Sequence, residues 1–312
     1  MRRHIYIYSP SSAVGDRSAF QRGVKRLQSM GHEVEIDADA MSRHQRFAGP
    51  DEVRLQAIHR AASSGADVAL ISRGGYGLSR ILGDIRYKKI AKAIANGTQF
   101  VGYSDFTALQ CALMAKTGAF SWAGPSLCDG FGVAADAQPD DIMLACFDDL
   151  LCGQGEGTGW RQKMPGGMPT DLDSKSQLSV EDGLLWGGNL TVLTSLLGTP
   201  LFPKVKGGIL FLEDVAEHPY RIERCLTQLL HAGVLVRQRA ILLGQFTDYR
   251  LAAHDRGYKL QSVVDWLRRK ITVPVLTNLP FGHVQTRVLL PVGAKCDLHV
   301  EGRDALLTWG HL

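Results

Sequence analysis

The sequence has no long apolar run. None of its segments approaches the roughly 18 consecutive apolar residues of a membrane span. Two arginines open the chain, but the apolar stretch behind them is only Ile5 to Tyr8, alternating as a strand does. A signal peptide needs an apolar stretch of about 7–15 residues and a small-residue cleavage site, so the expectation is a cytoplasmic protein. Charge of neither sign dominates. Lys and Arg number 35, Asp and Glu 31, for a net charge of +4. The basic residues are scattered, apart from short clusters such as Arg268-Arg269-Lys270, and leave no electrostatic footprint for nucleic acid. Cysteine is scarce and irregularly spaced: Cys111, Cys128, Cys146, Cys152, Cys225 and Cys296. No pair has Cys-x-x-Cys spacing and no histidine cluster accompanies them, which argues against a zinc site. Internal repeats and low-complexity tracts are also missing.

What is present is the composition of an ordinary globular protein, 45% hydrophobic and 21% charged. A chain of 312 residues is long for one core and implies one large or two medium domains. The first half alternates strands and helices. HIYIY is a strand that runs into a Ser-Pro-Ser-Ser loop. Arg17 to Met30 is helical and stops at Gly31. EVEI is a strand, Glu52 to Ser64 a helix, and Asp67 to Ser72 a buried-type strand. The loop Arg73-Gly-Gly-Tyr-Gly follows, then a helix from Leu78 to Asn96, the strand QFVG and a helix after Ser104. Such alternation means a parallel sheet with helices on both faces. Its ligand site lies beyond the carboxyl ends of the strands, where the Ser9 loop, the Arg73 loop and Ser104 all fall.

Residues 156–180 are rich in glycine and polar residues and carry neither periodicity. They read as a junction between a domain over 1–155 and another over 181–312. In the second domain, GLLWGGNLTVLTSLLGTP reads as a turn leading into a helix. Ile209 to Leu212 is a strand, Pro219 to Ala232 a helix, Ala240 to Gly244 a strand and Leu260 to Lys270 a helix.

Four features could carry chemistry, and each has a plainer reading. Ser104 stands where a buried strand turns into a helix. It is either an N-cap, a position that favours serine, or a nucleophile served by backbone N–H groups and a helix dipole. It lacks the Gly-x-Ser-x-Gly form of the hydrolase elbow, because Phe106 replaces the second glycine. The Gly74-Gly75-Tyr76-Gly77 loop is either a tight turn or an anion cradle. It matches neither the P-loop nor the dinucleotide fingerprint. Glu213 ends the strand ILFLE, close to Asp214 and Glu217. It is either the orienter of a histidine or part of an acidic helix start paired with Arg221 and Arg224. His283, in the glycine-containing loop LPFGH, is a better base candidate than His4, His32, His44, His59, His231, His254 or His311, though a lone loop histidine is commonly a surface residue. Together the four supply a nucleophile, an orienter, a base and an oxyanion loop.

Along nearly its whole length the chain resembles the LD-carboxypeptidase family, also called muramoyltetrapeptide carboxypeptidases. The segments that carry the likeness are SPSS, SRGGYGLSRILGDI, VGYSDFTALQ, GPSL, WGGNLTVLTSLLGTP, ILFLEDVAEHPYRIER, ILLGQF and LPFGHVQTRVLLPVGA, in that order. The resemblance implies an α/β fold, with a flavodoxin-like N-terminal domain and a smaller C-terminal α/β domain. It implies a serine peptidase with Ser104 as nucleophile, Glu213 as acid and His283 as base. The N–H groups of Gly75 and Asp105 would form the oxyanion hole. Arg73, Tyr76, Trp186 and Asn189 would contact substrate. The implied reaction removes the terminal D-Ala from a murein tetrapeptide during peptidoglycan recycling, with no metal or organic cofactor, and the implied assembly is a homodimer. Two other functions stay open. One is an immunity-type peptidase of the same family that cuts a peptide–nucleotide antibiotic. The other is a non-catalytic peptide-binding protein on the same scaffold.

Overall fold

The computed structural model describes residues 2–162 and 177–312. The chain divides into two compact units: Met1–Gln154 with Thr199–Pro203 and Gln285–Val292, and Gly155–Gly198 with Lys204–Val284 and Gly293–Leu312. Most of the glycine-rich tract read as a junction, residues 163–176, lies outside the described residues.

The first unit is built on five parallel strands: β1 (His4–Tyr8), β2 (Glu33–Ile36), β3 (Val68–Ile71), β4 (Gln99–Gly102) and β5 (Ser121–Ala123). Their order is 2-1-3-4-5, the flavodoxin-like arrangement, in which the direction of winding reverses between β1 and β3. A late strand, Leu290–Val292, pairs antiparallel with β5. Strand β3 is apolar and buried at every position, as a parallel strand covered on both faces must be. Five helices belong to this unit: α1 (Arg17–Ser29), α2 (Asp51–Ala61), α3 (Tyr87–Ala95), α4 (Thr107–Thr117) and α5 (Asp141–Cys152). Asp16 caps α1 by accepting the N–H groups of Ser18 and Ala19. Helix α4, which follows Ser104, is buried at every position from Thr107 to Met114 and so forms part of the core.

One expected helix is broken. Leu78 to Asn96 forms two short 3-10 turns, Leu78–Arg80 and Leu82–Asp84, before α3 begins. The Leu78 N–H is taken by the Asp105 carboxylate, 2.9 Å away, and Gly83 disfavours a continuous helix.

The second unit is a mixed sheet. Its strands are β6 (Gly157–Arg161), β7 (Gln177–Asn189), β8 (Ile209–Val215), β9 (Ala240–Thr247), β10 (Val275–Leu276), β12 (Lys295–Glu301) and β13 (Asp304–Thr308), with β11 being the Leu290–Val292 strand of the first sheet. Strands β7 to β10 are parallel to one another, whereas β12 pairs antiparallel with β7, and β13 and β6 continue the antiparallel side. Among the described residues, three α-helices accompany them: α6 (Leu190–Ser195), α7 (Pro219–His231) and α8 (Leu260–Lys270). Trp186-Gly-Gly-Asn is therefore the end of a long strand and not a turn, and β6 falls in sequence that reads as junction. Among the described residues, no helix is long and apolar enough to cross a membrane.

A buried ion pair ties β1, β2 and α2 together. Arg60 donates to both oxygens of Asp37, at 2.7 and 2.8 Å, and the Tyr6 hydroxyl donates to the same carboxylate at 2.6 Å. Burial alone would raise the Asp37 pKa, but Arg60 and Tyr6 outweigh it and hold the carboxyl below its ordinary range. A depressed carboxyl stabilises the fold above the unfolded value of about 3.9, and the contribution is lost as pH falls through the folded value. Arg60→Ala should cost about 2 kcal/mol, less than a fully buried pair because Arg60 keeps contact with water. Acid titration followed by circular dichroism should show the variant unfolding at a higher pH than wild type.

Candidate active site

Ser104 is the second residue beyond β4 and has φ +63°, a left-handed conformation that a non-glycine side chain rarely adopts. Such a conformation costs about 1–3 kcal/mol and persists only where surrounding structure imposes it. The cap reading does not hold. The cap positions of the 3-10 turn Ser104–Phe106 and of α4 are Tyr103 and Phe106, neither with a side-chain cap bond. Tyr103 is itself clamped within the first unit. Its hydroxyl donates to Asp129 at 3.3 Å, and the buried Arg287 guanidinium lies 3.8 Å from the centre of its ring.

The glycine loop faces Ser104. A side chain at Gly74 would put its Cβ 2.9 Å from Ser104 Oγ, and one at Gly75 would meet Ser12 Oγ at 2.2 Å. Gly75 also has φ +106°, so glycine is required there both by conformation and by space. Neighbouring groups pin the loop. The Tyr76 N–H donates to Ser12 Oγ (3.0 Å), the Ser12 N–H to Gly74 O (3.3 Å), and Arg54 Nη1 to Gly77 O (2.8 Å). Arg54 is fully buried. The Asp105 carboxylate, also buried, accepts the Leu78 N–H; burial raises its pKa against that bond. The residue after Ser104 thus fastens the glycine loop to the Ser104 turn. Arg73 is half-buried and donates to Ala13 O at 3.3 Å. Tyr76 is exposed, with its ring near Phe47 and the Arg46 guanidinium 5.5 Å from its centre.

In the second unit, His283 Nδ1 lies 2.8 Å from Glu213 Oε2, and Glu213 is fully buried at the carboxyl end of β8. An ionised carboxylate only accepts, so Nδ1 carries the proton and Nε2 is left as the basic nitrogen. The loop that carries His283 needs glycines where it crosses β9. A Cβ at Gly282 (φ +144°) would meet Gln245 O at 2.8 Å, and one at Gly244 would meet Phe281 O at 2.4 Å. Gln245 holds the loop further, its N–H donating to Phe281 O (2.8 Å) and its Nε2 to Leu279 O (3.0 Å).

The second unit brings Glu213, His283 and Asn189 together, and the first gathers Ser104, Asp105, Gly75, Tyr76 and Arg73 around one sheet edge. Trp186 differs from the substrate-contact expectation. It is fully buried on β7 and its indole N–H donates to Gln238 Oε1 at 3.0 Å, so it belongs to the core. Asn189 is also buried, and its amide donates to Glu213 and Asp214. Glu217, from the same acidic cluster, pairs with Arg221. Sequence reasoning missed Ser12, Arg54, Arg287 and the Asp105 side chain, and saw Asp214 only as part of an acidic cluster; proximity to motifs was the available signal. Burial raises Asp214, and the neighbouring Glu213 charge raises it further against bonds from Thr191 and Asn189. Among the described residues there is no group of three or more His, Cys, Asp or Glu side chains that could hold a metal ion.

Residues 5–124 match the LD-carboxypeptidase N-terminal domain and residues 182–298 the LD-carboxypeptidase C-terminal domain. The crystal structure of muramoyltetrapeptide carboxypeptidase from Oxalobacter formigenes is 39% identical, covers 98% of both chains and superposes with a TM-score of 0.86. The murein tetrapeptide carboxypeptidase of Pseudomonas aeruginosa is 28% identical over 93% of this chain and 91% of its own. The microcin C7 self-immunity protein MccF of Escherichia coli is 26% identical over 97% of this chain and 92% of its own.

The requirement for glycine at position 75 is directly testable. Gly75→Ala should destabilise the protein by about 2 kcal/mol in urea unfolding, from a clash with Ser12 and a strained φ. Adding Ser12→Gly should relieve the clash but remove the bond from the Tyr76 N–H to Ser12 Oγ and leave the positive φ, so the double variant should stay less stable than wild type.

Proposed function

Because the chain belongs to the LD-carboxypeptidase family of serine peptidases, we propose that it releases the terminal D-Ala from murein tetrapeptide in peptidoglycan recycling, with Ser104, Glu213 and His283 as nucleophile, acid and base. The observation that carries this reading is the 2.8 Å bond from His283 to a carboxylate with no exposure to solvent. A buried acid that fixes one imidazole tautomer is what a general base requires. The strained Ser104 beside a glycine loop supports the same reading from the first unit.

In this mechanism His283 Nε2 takes the Ser104 proton as Oγ attacks the carbonyl of the diamino acid that precedes D-Ala. Glu213 stabilises the imidazolium that forms. The N–H groups of Gly75 and Asp105 donate to the tetrahedral oxyanion, a donor of this kind being worth about 3 kcal/mol in the transition state. The imidazolium returns its proton to the leaving amine, and free D-Ala departs. Water, activated by the same base, hydrolyses the acyl-enzyme and restores Ser104. Arg73 or another cation near the glycine loop would take the free carboxylate of D-Ala, which distinguishes a carboxypeptidase substrate from an internal bond.

D-Ala release from purified murein tetrapeptide tests the reading. Release should persist in the presence of a chelator. It should fall by on the order of 10⁴-fold or more in Ser104→Ala and fall steeply in His283→Ala and Glu213→Gln. Undiminished release by Ser104→Ala would overturn the mechanism. No release by wild type, with cleavage of a peptidyl nucleotide instead, would move the chain to the alternative reading of an immunity-type peptidase.

A further inference from the structure

Glu213 has two oxygens and no contact with water, so each oxygen needs a donor. His283 serves Oε2. The other, Oε1, accepts from Asn189 Nδ2 at 3.2 Å. Asn189, at the end of β7, and Glu213, near the end of the parallel strand β8, are register partners, which explains how residues 24 apart meet. The orientation of the Asn189 amide is fixed by the chemistry on both sides. Its Oδ1 accepts the Val192 N–H at the start of α6 (3.0 Å), and its Nδ2 faces the two carboxylates. A flipped amide would set oxygen against carboxylate and nitrogen against N–H.

The second amide proton goes to Asp214 Oδ1 at 2.9 Å. Asp214 is itself buried and held by the Thr191 N–H (3.0 Å), the Thr191 hydroxyl (2.8 Å) and the Val215 N–H (2.9 Å). A continuous chain of hydrogen bonds therefore runs from the N-terminus of α6 through Asn189 to Glu213 and His283, with Asp214 as a lateral brace. We propose that Asn189 is a positioning residue: its amide occupies Oε1 of Glu213, leaving Oε2 alone to hold the His283 Nδ1 proton, and Asp214 locks Asn189 in that pose. This replaces the substrate contact expected of Asn189 and rests on the proposed role of His283 as general base.

The test uses two variants and two readouts. Asn189→Leu removes the donor and the helix cap; Asn189→Asp keeps the cap but turns the donor into a third carboxylate. In both, kcat for D-Ala release should fall about 10- to 100-fold, as for hydrogen bonds that orient a reacting group from behind, with KM within about twofold. Long-range proton–nitrogen NMR of 15N-histidine protein should show His283 protonated at Nδ1 in wild type and as a tautomer mixture in the variants. A raised KM at unchanged kcat would make Asn189 a substrate contact and overturn the proposal. A lowered Tm with kcat and tautomer unchanged would make it only a helix cap and overturn it equally. The NMR readout needs no substrate. A tautomer shift in a protein that releases no D-Ala would leave the positioning role standing and reject the proposed activity; intact release with an unmoved tautomer would do the reverse.

Discussion

The second unit is organised around one costly act, the burial of the Glu213 carboxylate at the carboxyl end of β8. A charge out of contact with water must be met by donors or it destabilises the fold by several kcal/mol. The donors come from separated parts of the sequence: His283 from a loop beyond β10, and Asn189 from the end of β7. Each imposes its own local requirement. The histidine loop crosses β9 only because Gly244 and Gly282 have no side chains. Asn189 must end its strand in register with Glu213 and start α6 at the same time. The carboxylate thus sets the register of two strands, the start of a helix and the path of a loop.

The first unit meets a comparable requirement with backbone geometry. Ser104 is held in a left-handed conformation between a buried strand and a core helix, so its strain is borne by packing on both sides. The glycine loop next to it is rigid despite its composition, because Ser12, Arg54 and Asp105 each fix one of its backbone groups. Glycine here permits close approach to Ser104 and does not confer mobility. Three consecutive strand ends, those of β1, β3 and β4, contribute to this cluster, on the edge where the winding of a flavodoxin-like sheet reverses.

Much of this was legible in the sequence because parallel strands leave continuous apolar runs, and the residues of chemical interest stand directly after them. Ser104, the Arg73 loop and Glu213 were found that way, although each reading stayed two-sided until the family likeness joined them. What was not legible depends on contacts distant in sequence. The helix expected from Leu78 breaks because Asp105, 27 residues on, takes the Leu78 N–H. Trp186 reads as part of a turn and as a substrate contact, yet β7 runs through it and buries it. Arg287 stacks on Tyr103 because residues 285–292 return to the first sheet, which no local pattern announces. Asn189 reads as a substrate contact, and that its amide donates to an acid on the neighbouring strand depends on pairing 24 residues away.

The central claim is covalent chemistry at Ser104, and mass spectrometry of protein quenched in acid during turnover of murein tetrapeptide tests it most directly. The account predicts a tripeptidyl acyl group on the peptide containing Ser104, formed with release of one D-Ala and lost on further incubation. An acyl group on a different residue, or the same adduct in Ser104→Ala, would contradict it.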